Sequence, residues 1–348
     1  MTHNRKVHLD LLRILAILLV IFNHMLGYTE YMHNTGVRFG IYVVPSIITR
    51  INVPLFWMIS GALLLPKADS IKNVLKHRVS RIALALLSTG AFLYLLEEFP
   101  DISLTDFIIK LFSNGIEESY WFLYTYLGIL FVLPYLQKMV KNFSQKDFLY
   151  FLALHAIFCS IIPMLRYISQ SQYGVAFDVA LPLPIIAENA LFFFVMGYYL
   201  ENVLDISQLT PKKLSVLACI AIIAIGISAA FTYHQGIHTG YTQTYLSLFD
   251  YALAIATFIF IKYFFFKTKL SDINTSLCSF LCRIGELTFG IYLLDPFLKH
   301  FLYKAFENAL EPALPTIICS IIWTCFSMIV CSIICFLLKK LPFFKVIL

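Results

Sequence analysis

Residues 9–24 read LDLLRILAILLVIFNH. The middle of this run is apolar enough to enter a hydrocarbon core, yet Asp10 and Arg13 stand at one end and Asn23 and His24 at the other. An ionisable side chain at membrane depth costs about 3 kcal/mol on insertion scales, so each is a functional candidate by default. Arg13 and His24 are eleven residues apart. At about 100° and 1.5 Å per residue they share one helix face, about 16 Å apart along the axis. One reading makes Arg13 a side chain that snorkels to the membrane surface beside Asp10 and His24 an inert interfacial imidazole. The other lets this face touch a long ligand at two points, with His24 as a general base.

The rest of the 348-residue chain has the same character. It is 60% hydrophobic and 13% charged, whereas a soluble domain carries about a quarter charged residues. The apolar material comes in blocks of about 20 residues, the length that crosses a bilayer. Ten spans are predicted, at 9–28, 43–65, 79–99, 119–137, 148–168, 183–203, 214–233, 244–266, 280–300 and 314–338. They describe a single all-α membrane domain over residues 1–348, a polytopic bundle of about ten helices. LTDFIIKLF at 104–112 is amphipathic and too short to span, which predicts a surface helix. Arg5 and Lys6 precede the first run as in a secretory leader, but no small-x-small cleavage motif follows, so it reads as a retained helix.

With the N-terminus in the cytoplasm, the inner segments hold 19 Lys and Arg and the outer segments 5. The positive-inside rule then places both termini in the cytoplasm. Topology also accounts for the net charge of +6, which is no argument for nucleic acid. Most of the eight cysteines lie inside apolar runs, and Cys278 and Cys282 have no second pair at metal-ligand spacing. Neither a structural disulfide nor a metal is expected. The remaining ionisable groups at depth are Arg50, His155, Glu188 and Asp295. HRVSRI places Arg78 and Arg81 at i,i+3 on the cytoplasmic entry to the third span, where they suit phosphate binding or simple anchoring. His234 and His238 in HQGIH lack a convergent third ligand.

DLLRILAILLVIFNH, TRINVPLFWMISGALLL, the RVSR pair, YWFLYTYLGILFVLPYL and LTFGIYLLDPF occur in an order that resembles the integral membrane acyltransferase 3 family, which includes glycan O-acetyltransferases. The resemblance implies His24 as the catalytic histidine, Arg13 as the arginine of the same element, and Arg78 and Arg81 as acyl-coenzyme A ligands. Arg50 and Ser60 fall in its second-span motif. In the ninth span the family often has histidine where this chain has Asp295. Asp295 or Glu188 is then the carboxylate that orients His24, and Asp295 is the expected one.

The implied function is O-acylation, acetylation by family frequency. The donor is acetyl-coenzyme A as co-substrate, and the acceptor is a cell-envelope polysaccharide or lipid-linked sugar outside a bacterial inner membrane. Direct transfer and an acyl-histidine intermediate both remain open. Acceptor contacts are expected at outer loops and span ends, with Arg50, Ser60 and Trp121 foremost and Tyr28, His33, Tyr241, His234 and His238 as further candidates. The rival reading is an exporter of a glycan or lipid intermediate that performs no chemistry.

Overall fold

A computed structural model describes residues 5–175, 177, 189–239, 245–270 and 275–347, with residues 237–239 as backbone only. Every regular element among them is helical. Among the described residues eight helices are long and apolar enough to cross a membrane, nine when one bent pair counts as a single span. The first helix, α1 (Val7–Met25), lies at the centre. It packs against α2 (Gly36–Thr49), α3 (Asn52–Leu64), α10 (Asp250–Thr268), α11 (Thr275–Gly285), α12 (Thr288–Leu310) and α13 (Thr316–Leu338). Around them run α4 (Ile71–Glu98), α6 (Trp121–Lys141), α7 (Gln145–Tyr173) and α9 (Pro211–Thr239). The predicted span at 183–203 begins outside the described residues. Its described part is α8 (Asn189–Tyr198), continued by a π-helical turn at Tyr199–Val203. The surface helix α5 (Leu104–Phe112) has the predicted bounds, capped by the Ser103 side chain on the Asp106 N–H.

Without a hydrophobic drive between helices in lipid, close packing of small residues takes over. A Cβ on Gly61 of α3 would stand 1.7 Å from the Phe194 carbonyl oxygen, and one on Gly197 of α8 would stand 1.9 Å from that of Met58. Two glycines thus bring the backbones of α3 and α8 into direct contact. By contrast α9 is the least enclosed of the candidate spans, with 11% of its most apolar window buried. It is lipid-facing in a way its uniformly apolar sequence foretells.

Two predicted spans are broken, and both breaks matter. The second is divided at Arg50 and Ile51 between α2 and α3. Pro54 is the cause, because a proline has no N–H to bond four residues back and its ring clashes with that carbonyl, here Arg50's. The ninth, expected as one helix over 280–300, bends by 52° between α11 and α12. A Cβ on Gly285 would lie 2.6 Å from the Asp10 carboxylate, so the chain turns where it presses against α1. Carbonyls at the bend take cationic donors. Arg5 donates to Cys282 at 3.0 Å, and Lys339 donates to Glu286 at 2.7 Å. Broken helices in a membrane are tolerated where such partners exist. Arg5 and Lys339 both reach this bend, which puts the two described chain ends at one end of the bundle. The short helix α14 (Pro342–Ile347) closes that end.

Candidate functional site

At the far end of α1, His24 Nδ1 lies 3.0 Å from Asp295 Oδ2 on α12. Asp295 is 2% exposed, and its other oxygen accepts a hydrogen bond of 2.7 Å from Ser327 on α13. Pro296 follows Asp295, yet the helix continues to Leu310. The His24 backbone carbonyl accepts from Lys299 Nζ at 2.9 Å. With Nδ1–H directed at the carboxylate, Nε2 is the ring atom left to exchange a proton.

His24 opens on a cavity of about 750 Å³ that runs between the helices. Its wall near the termini is formed by Arg13, Arg81, Gly285 and Glu286. Its opposite wall is formed by Asn23, His24, Ser119, Trp121 and Tyr292. Arg50 and Asn52 enter through the break between α2 and α3, and Asp250 enters from the start of α10. Phe56, Trp57, Phe122 and Tyr126 form an aromatic flank, and Ser60 lines the cavity with them. The cavity therefore gathers six of the predicted site residues: Arg13, His24, Arg50, Ser60, Arg81 and Trp121.

At the near end the network is ionic. Asp10, 1% exposed, accepts from Arg13 at 2.9 Å and from Arg5 at 2.8 and 3.0 Å, and Arg5 also bonds Glu286. Arg13 thus has the Asp10 partner expected on sequence and lines the cavity as well. Arg81 donates from Nε to the Ile347 carbonyl at 3.2 Å, and its guanidinium lies 5.7 Å from the Phe289 ring. Its neighbour one turn earlier behaves differently. Arg78 pairs with Asp69 at 2.8 Å and is not among the cavity residues. Asp69 also accepts from the Gln137 and Asn73 side chains. Burial alone would push the Asp69 carboxyl up. The Gln137 hydrogen bond and the Arg78 charge outweigh it and hold the carboxyl below its ordinary range.

Of the other candidates, His155 is packed away from the cavity, its ring stacked on Phe192 at 3.6 Å and 4°. His234 bonds the Tyr167 hydroxyl at 2.8 Å, and His33 is exposed on a surface turn. Tyr28 is fully buried and donates to Asn23 at 2.6 Å. Glu188, Tyr241 and the His238 side chain lie outside the described residues. All eight cysteines are free, and among the described residues no cluster of three His, Cys, Asp or Glu could hold a metal.

Sequence reading missed Asn52, Asp250, Glu286, Tyr292 and Ser327. Asp250 carried a usable signal as a carboxylate inside the span predicted at 244–266. Ser327 carried none, as one hydroxyl among several on an apolar helix.

Fold and site together define a polytopic helical membrane protein with a hydrogen-bonded His24–Asp295 pair whose histidine faces a cavity inside the bundle. A family model for an acyltransferase domain, acyltransferase family 3, matches residues 7–340. The chain belongs to that family, and its general activity is membrane acyl transfer. No curated protein and no solved structure matches it.

Proposed function

We propose that the protein O-acylates, by default O-acetylates, a hydroxyl of a cell-envelope polysaccharide or lipid-linked sugar, with cytoplasmic acetyl-coenzyme A as donor. The supporting observation is one cavity that has Arg13 and Arg81 at one wall and His24, backed by Asp295, at the other. In this reading the chain crosses a bacterial inner membrane ten times. Both termini are cytoplasmic, consistent with the 19-to-5 bias of Lys and Arg.

The donor's phosphates rest near Arg81 and Arg13, where guanidinium groups match phosphate geometry. The pantetheine arm follows the face of α1 over the rise of about 16 Å to His24. Arg78 supports the loop through Asp69 and stands behind Arg81. The acceptor enters from the Trp121 side, with Arg50 and Ser60 among its contacts. His24 Nε2 takes the proton of the acceptor hydroxyl as that oxygen attacks the thioester carbonyl. Asp295 holds the ring and stabilises the imidazolium. The carbon–sulfur bond then breaks, and the imidazolium returns its proton to the departing coenzyme A thiolate. Acyl–oxygen and sulfur–hydrogen bonds replace acyl–sulfur and oxygen–hydrogen bonds, so no redox partner is needed.

The test follows labelled acetyl groups from acetyl-coenzyme A into envelope glycan in membranes carrying wild type or His24→Ala at matched levels. Transfer by wild type alone supports the enzyme and the base. Equal transfer by both removes His24 from the mechanism. No wild-type transfer in membranes that contain the native glycan favours the exporter.

A further inference from the structure

We propose that Ser327 is a positioning residue for the His24–Asp295 pair, locking the carboxylate so that Nε2 of His24 faces the cavity. The proposal rests on the acyl-transfer reading above. A carboxylate among apolar helices needs donors on both oxygens. Oδ2 of Asp295 meets His24 at 3.0 Å and Oδ1 takes the Ser327 hydroxyl at 2.7 Å. Engaged from two helices, the carboxylate cannot turn about its own axis without losing one bond.

The other hydroxyls in the interior of α13, beyond Thr316 at its first position, which bonds Gly27 and Glu30, show that this contact is unusual. A serine or threonine within a helix ordinarily donates to the carbonyl one turn back. Ser320 does so to Thr316 at 2.9 Å, Thr324 to Ser320 at 2.7 Å, and Ser332 to Met328 at 2.6 Å. Ser327 instead gives its proton to a neighbouring helix, and its oxygen lies 3.7 Å from Cys331 Sγ. It is fully buried and does not line the cavity, so it acts through Asp295 and touches no substrate. Other groups share the neighbourhood: Tyr120 stands near both Asp295 and Glu117, Lys299 holds the His24 carbonyl, and Arg50 and Asp250 face the cavity.

The experiment compares wild type, Ser327→Ala, and the isosteric pair Ser327→Thr and Ser327→Val, all as full-length protein in lipid. Nitrogen-15 histidine spectra in mildly alkaline buffer, with His24 assigned by subtracting His24→Ala, report which ring nitrogen carries the proton. Wild type and Ser327→Thr are expected to show the Nδ1–H form alone. Ser327→Ala and Ser327→Val are expected to show a mixture. In the transfer assay the same two variants lose about tenfold in turnover, as small misplacements of a reacting group do. Their KM for the donor stays unchanged. In an Asp295→Asn background Ser327→Ala costs nothing further. A pure Nδ1–H form in Ser327→Ala, or identical behaviour of the valine and threonine variants, overturns the proposal. Should Ser327→Ala not fold, the isosteric pair decides. Should wild type transfer no acyl group, the acyl-transfer reading fails while the tautomer comparison still judges Ser327.

Discussion

Two histidines sit at membrane depth, and the bundle treats them in opposite ways. His155 is 1% exposed, stacked flat on Phe192 and edge-on to Tyr251, in an aromatic cluster away from the cavity. The His24 side chain is 22% exposed, bonds a carboxylate through one nitrogen and turns towards an open space. Each imidazole gives up water, His155 nearly all of it. His155 is held in an aromatic stack, which fixes a helix. His24 is held by a buried anion, which also defines the tautomer and leaves one nitrogen for chemistry. Access, rather than depth or residue type, separates a reactive histidine from a packed one.

Replacing each histidine separately tests that contrast most severely. His24→Ala is expected to lower acyl transfer per folded molecule by about 10²-fold or more, the usual contribution of a general base, beyond any fall in melting temperature from the donor lost to Asp295. His155→Ala is expected to act on stability alone. It leaves a void against Phe192 and Tyr251 and lowers the melting temperature of the detergent-solubilised protein, while activity per folded molecule is kept. His155→Phe retains the stack and restores most of the stability. Loss of transfer in a well-folded His155→Phe variant would break the distinction drawn here.

The arginine pair repeats the contrast with a smaller effect. Arg81 reaches the cavity, whereas Arg78, three residues earlier, is engaged by Asp69. Arg81→Ala is expected to raise the donor KM by about tenfold, the worth of one charge-assisted hydrogen bond. Arg78→Ala is expected to leave that KM nearly unchanged and lower the melting temperature instead. Titrating the initial rate against acetyl-coenzyme A separates the two. Equal KM increases would return Arg78 to the donor site.

Much of this arrangement was legible in the chain. The Arg13–His24 spacing follows from helix geometry, and hydropathy located eight spans among the described residues, a ninth as a bent pair, and the surface helix at Leu104–Phe112. Pro54 carried a signal for the break that turns Arg50 inwards, although the span over 43–65 was expected to be unbroken. Which polar residues meet across helices was not legible, because contact between Asp295 and Ser327 depends on how α12 and α13 rotate about their axes. Both positions are buried, and an apolar helix in lipid has no solvated face to announce that rotation. The bend at Glu286 was equally hidden. Its cause is the contact of Gly285 with Asp10, about 275 residues away in the chain, and no local signal reports such a partner.

The smallest expected effect concerns Asp69, the structural partner of Arg78. Its carboxyl lies below the ordinary range, because the Gln137 and Arg78 contacts outweigh the opposing effect of burial. A carboxyl that is more acidic folded than unfolded stabilises the protein at neutral pH. That contribution is fully present above the unfolded carboxyl's pKa and fades as the pH falls through the folded one. Wild type should therefore lose melting temperature faster than Asp69→Asn on acidification below about pH 4, the ordinary carboxylate range. The two curves should run parallel above it. His24 stands at the other end of the bundle, so the Asp69→Asn variant should keep the wild-type dependence of transfer rate on pH near neutrality. A changed rate profile with unchanged melting curves would place Asp69 and Arg78 in the reacting system and erase their contrast with Arg81.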